Sequence, residues 1–146
     1  MNLFTPDPGH FTTLTGAYYP TGHVFAMFAD EAAARAAASR MQAVPDVGGV
    51  QLAAAPAIEA AFAKRAADVG AMPSVGREDQ FMLRFVELAR KGRSGLLVDL
   101  GGADADAVTA VLQEGGAVLA YHYRQLVIDE LVTPTIGAEA AAAGRL

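Results

Sequence analysis

Gly95-Leu96-Leu97-Val98-Asp99-Leu100-Gly101-Gly102, running on to Gly115-Gly116-Ala117-Val118-Leu119-Ala120-Tyr121-His122-Tyr123, reads as strand, turn, helix, turn, strand. The short apolar run Leu96–Leu100 is bounded by glycines, as a buried strand is. Asp104 is placed to accept hydrogen bonds from the free N–H groups of a first helical turn, and Asp106 adds negative charge at the positive end of that helix. Val108, Val111 and Leu112 share a face at helical spacing, and Gly115 stops the helix. The stretch is one complete βαβ unit.

Residues 23–54 echo it. His23-Val24-Phe25-Ala26-Met27-Phe28 has the length and apolarity of a strand, and Asp30 is the expected cap. A helix follows from Glu31 to Gln42, with Ala34, Ala37, Ala38 and Met41 as its inner face, and Gly48-Gly49 leads into a strand at Val50–Ala53. Two βαβ halves in one chain predict an α+β fold of ferredoxin-like type, with a four- to five-stranded, mainly antiparallel sheet and helices packed on it.

Between the halves lie two further helical patterns, so the expected order is βαβ, two inserted helices, βαβ. Pro56 opens the first, with Ile58, Phe62, Ala66 and Val69 on its apolar face and Gly70 at its end. Residues 72–76 link it to the second, where Phe81, Phe85, Leu88 and Ala89 point inward and Arg84, Glu87, Arg90 and Lys91 outward. One helix leaving and one returning brings the chain back to the sheet edge it left. The organisation expected is an irregular N-terminal arm at 1–22, a single α+β domain at 23–131 with its inserted helices at 56–92, and an alanine-rich C-terminal tail at 132–146. The segment Arg124–Leu131 reads as strand from its β-branched residues, with a short helix as the other option.

The strands His23–Phe28 and Leu96–Leu100 are apolar on both alternating faces, which predicts a sheet covered twice. The second cover is the inserted helices, the arm or another subunit. Alanine carries much of the 53% hydrophobic content and buries little area per residue, so a homodimer is expected.

The absence of Cys excludes disulfides and thiolate chemistry. No stretch reaches the ~18 apolar residues of a spanning helix, and the N-terminus lacks the pattern of a signal peptide, so no membrane association and a cytoplasmic location are expected. A net charge of −5 opposes bulk phosphate binding. RNA binding ranks low for a second reason: the central strand offers Leu96, Leu97 and Leu100 where RNA-binding sheets of this topology stack bases on aromatics.

Gly101-Gly102 stands where phosphate loops stand, but the lysine and hydroxyl residues of a P-loop are missing. His10, His23 and His122 lack metal-ligand spacing, even counting Asp99 or Asp129 as partners, so neither a metal nor a cofactor is called for. Asp99 reads as a sheet-edge or turn residue. Ser39, Ser74 and Ser94 lack the surroundings of nucleophiles, and no catalytic residue stands out. One concentration of functional side chains remains. If the last strand lies beside the first, His23 and His122 fall at the same end of neighbouring strands. Tyr18 and Tyr19 enter there, and Tyr121, Tyr123 and Arg124 surround the second histidine. These seven are the candidate ligand-binding residues, either as a plug anchoring the arm or as a polar-aromatic pocket in which Arg124 holds an anion.

Val24-Phe25-Ala26-Met27-Phe28-Ala29-Asp30-Glu31-Ala32 and Gly116-Ala117-Val118-Leu119-Ala120-Tyr121 resemble small bacterial general-stress domains of unknown biochemical role. The resemblance covers about two-thirds of the chain and supplies no catalytic residues. It implies a non-enzymatic, stress-associated or regulatory binding module acting as a homo-oligomer. The alternative is a dimeric α+β-barrel-type small-molecule binder or enzyme with a Tyr/His-lined site.

Overall fold

The alternating side chains of Val24–Phe28 enter two separate cores, and this sets the architecture. A computed structural model of the chain describes residues 2–3, 20–62, 77–124 and 128–132. Along them run β1 (Asn2–Leu3), β2 (His23–Phe28), α1 (Glu31–Met41), β3 (Gly49–Ala53) and α2 (helical residues 55–62). Then come α3 (Arg77–Arg90), β4 (Ser94–Asp99), α4 (Ala105–Glu114), β5 (Leu119–Tyr123) and β6 (Ile128–Val132). The readings of residues 63–76, of most of the arm and of the tail from 133 onward lie outside the described residues.

The sheet order is β1-β3-β4-β2-β5-β6. From β3 to β6 all neighbours are antiparallel, giving the α+β sheet of five antiparallel strands that the sequence led us to expect. β5, which closes the second βαβ unit, lies against β2, as the site argument required. From Ile128 onward, β6 resolves the choice between strand and helix in favour of strand. β1 was not anticipated: two residues of the arm pair in parallel with Gln51 and Leu52 of β3.

One core holds Val24, Ala26 and Phe28 of β2 against Ala34, Ala37, Ala38 and Met41 of α1 and Val108 and Leu112 of α4. Asp30 caps α1, its carboxylate accepting from the Ala33 N–H at 2.8 Å, and Asp104 caps α4 by accepting from the Asp106 N–H. The alanine face of α1 lets that helix lie close on the sheet. The opposite core holds Phe25 and Met27 against Ile58 and Phe62 of α2 and Met82, Phe85, Val86, Leu88 and Ala89 of α3. Phe25 and Phe85 stack with ring centroids 4.2 Å apart.

The sheet therefore lies between two helical layers, and the second is made by the inserted helices. The apolar face that suggested a partner subunit is occupied from within the chain, and Phe25 and Met27 are fully buried there. A second subunit is not needed to cover it. Among the described residues no helix is long and apolar enough to cross a membrane.

Candidate functional site

Residues directly opposite each other in an antiparallel pair project from the same face. His23 stands opposite Tyr123 on one side and Asp99 on the other, and Asp99 stands opposite Gly49. Tyr123, His23, Asp99 and Gly49 thus form one row across four strands, on the face of Phe25 and Leu97. The next row, Tyr121, Phe25, Leu97 and Gln51, begins the apolar layer. The face changes from polar to apolar within one step along the strands.

Around the polar row the turns are tied together. The Gly48 N–H donates to the Asp99 carbonyl at 2.8 Å, and the Gly102 N–H donates to the Asp46 carbonyl at 3.1 Å. The Gly22 N–H donates to the Tyr123 carbonyl at 2.8 Å, and the Leu100 N–H to the Gly22 carbonyl at 3.2 Å. Gly101 has φ +56°, and a Cβ there would lie 2.8 Å from the Asp46 carbonyl oxygen, so both conformation and space require glycine. Gly48 is needed for space: a Cβ on it would lie 2.7 Å from Asp99 Oδ2.

The result is a hollow of about 190 Å³, lined by His23, Gln51, Leu97, Asp99 and the Gly48-Gly49 backbone. Most of its exposed lining is polar. Asp99 Oδ1 accepts from the Gly101 N–H at 3.0 Å, and no ion pair among the described residues reaches this carboxylate. His23 Nδ1 lies 3.0 Å from the Thr21 carbonyl, which can only accept. Nδ1 is therefore the donor of this contact.

The seven residues read from the sequence do not form one site. Tyr18 and Tyr19 lie outside the described residues. Tyr121 and Tyr123 share the face of His23 but are fully buried; the Tyr121 hydroxyl takes a hydrogen bond from Arg84 Nη1 at 2.6 Å, and its ring lies beside Phe85. His122 is opposite Val24 and Asp129 and so projects from the other face of the sheet. Arg124 pairs with Asp129 at 3.1 Å. The single pocket containing both histidines is therefore corrected: adjacent strand ends brought them together, but alternation separated them. Burial lowers the pKa of His122; the Asp129 carboxylate raises it and the Arg124 guanidinium lowers it.

Sequence reasoning passed over Gln51 and left Asp99 as a sheet-edge or turn residue. The two glycine pairs were visible, but the register that sets Gly48 against Asp99 is a tertiary fact. Among the described residues no three His, Asp or Glu side chains are grouped to hold a metal ion.

No protein-family model matches the chain, and neither a curated protein nor a solved structure shows significant similarity to it. The resemblance to general-stress domains has no support beyond the residues that suggested it.

Proposed function

We propose that the protein is a non-enzymatic binding module that takes a small polar ligand in the hollow at the glycine-rich end of the sheet. The observation that carries this reading is the meeting of an imidazole, a carboxylate and a carboxamide over the apolar floor of Leu97. Polar groups that converge on one hollow are what orient a small ligand in its site. Among the described residues, the side chains lining the hollow include no Ser, Thr, Lys or Arg, which favours binding over covalent chemistry. A ligand there would touch β2, β3 and β4 together. Its occupancy would tighten the end of the sheet where their turns interlock, which suits a regulatory module.

The test uses Gly49→Val. Gly49 faces the hollow, has no atom near the place of its Cβ and sits at the start of a strand, where valine is at home. The variant should keep its fold by circular dichroism and lose the thermal shift that small polar compounds give the parent protein. A ligand-induced shift of equal size in both proteins would place binding elsewhere.

A further inference from the structure

The β5–β6 hairpin carries a titratable cluster on the face of the sheet turned away from the hollow. His122 of β5 is half-buried and stands opposite Val24 of β2 on one side and Asp129 of β6 on the other. Arg124, two positions further on, donates from Nη1 to Asp129 Oδ2 at 3.1 Å. We infer that β6 is an acid-sensitive edge strand: protonation of His122 loosens β6 from β5 while the other strands stay paired.

The carboxylate opposite the ring is already engaged by Arg124, so an imidazolium there meets a shared anion and a second cation. Burial lowers the His122 pKa; Asp129 raises it and Arg124 lowers it. Glu130 stands opposite Tyr121 and so belongs to the other face. On α1 and α4, which cover this face, the charged side chains of Glu31, Arg35, Arg40, Asp104, Asp106 and Glu114 are exposed. A ring that takes up a proton gains by reaching water, and one of its neighbours must give way. Burial decides which. Val24–Phe28 of β2 are fully buried, whereas no residue of β6 is. β6 is also last in the sheet order, and its register with β5 is interrupted between Ala120 and Tyr121. Elements with few buried apolar contacts are the first to open. Loosening β6 bares the outward backbone groups of β5 and the places of Leu131 and Val132 on the core.

Amide hydrogen exchange on the whole chain, corrected for the intrinsic effect of pH on exchange, reads the opening strand by strand. Measurements at about pH 7.5 and about pH 5 bracket the ordinary histidine pKa. With β6 open the ring titrates near 6.5, and with β6 closed it titrates lower, so the open form gains as pH falls below that value. Between the two conditions, protection of the β6 amides that pair with β5 should fall about threefold or more relative to the amides of β4. His122→Asn should remove that fall. Arg124→Gln should shrink it, because the opposing guanidinium is gone and Asp129 is left to the imidazolium. An equal fall in β4 and β6 would mean that the whole sheet loosens, and would overturn the inference. A fall that persists in His122→Asn, a larger fall in Arg124→Gln, or none in the parent protein would overturn it as well. Should His122→Asn not fold at the higher pH, His122→Gln supplies the same comparison.

Discussion

Gly48 and Gly101 both lie against neighbouring atoms, yet their substitutions should differ in cost. Alanine at 48 meets the end of a side chain, so Asp99 can rotate away and lose its bond to the Gly101 N–H, a loss of about 1 kcal/mol. Alanine at 101 meets a backbone oxygen and must hold a left-handed conformation, which together cost about 2–4 kcal/mol. Urea denaturation should rank Gly101→Ala well below Gly48→Ala in stability; equal midpoints would mean that the turn relaxes freely. His122 gives a pH test. Burial disfavours its imidazolium, so the folded protein holds that proton less readily than the unfolded chain, where the group titrates near 6.5. Its stabilising share is complete above that value and is lost as pH falls through the depressed folded-state pKa. His122→Asn should therefore flatten the decline in urea midpoint below about pH 6.5. A parallel decline in parent and variant would show that other groups carry the dependence.

At the scale of elements, α3 shows what periodicity conveys and what it leaves out. Its apolar stripe was legible at Phe85, Leu88 and Ala89, but Met82 and Val86 are buried as well. A helix laid flat on a sheet buries a wider arc than the narrowest pattern suggests. Arg84, read as outward, reaches the Tyr121 hydroxyl from the margin of that arc. Arg84→Met keeps the apolar stem and removes the charged hydrogen bond, so it should cost about 1.5 kcal/mol. Phe85→Ala removes a ring stacked on Phe25 and should cost about 3–5 kcal/mol. Chemical denaturation of the two variants checks the order, and a reversal would make the polar contact the main anchor of α3. The caps at Asp30 and Asp104 were legible because each is local chemistry, complete within a few residues. The partnership of Arg84 and Tyr121 spans 37 positions and leaves no local trace.

For the molecule as a whole, the strand neighbours could be argued from the two βαβ halves, and the end of the sheet where His23 and His122 meet followed from them. The face of each histidine did not follow, because a shift of one residue in register exchanges faces. His23 is opposite Tyr123, not His122, and that single position divides the expected pocket in two. The same alternation decides what Phe25→Asp and Met27→Asp do. Both side chains are buried against the chain's own helices, so the variants should unfold, with loss of circular dichroism, and not yield folded subunits of lower mass by light scattering. A folded variant with altered mass would mean that this face meets a second molecule.

The excursion that carries α2 and α3 has one more consequence. It leaves β3 at Ala53 and re-enters β4 beside it, for Ala53 and Gly95 are cross-strand partners. The two strand ends are thus already positioned for a tight hairpin, and about forty residues between them serve to carry a lid of helix over one side of the sheet. The lid does for this chain what a twin molecule would do for a shorter one. Splicing a two-residue Asn-Gly turn in its place would bare Phe25, Met27, Leu97, Leu119 and Tyr121 together, and the shortened chain would be driven to recruit its own copy, trading an internal cover for an external one.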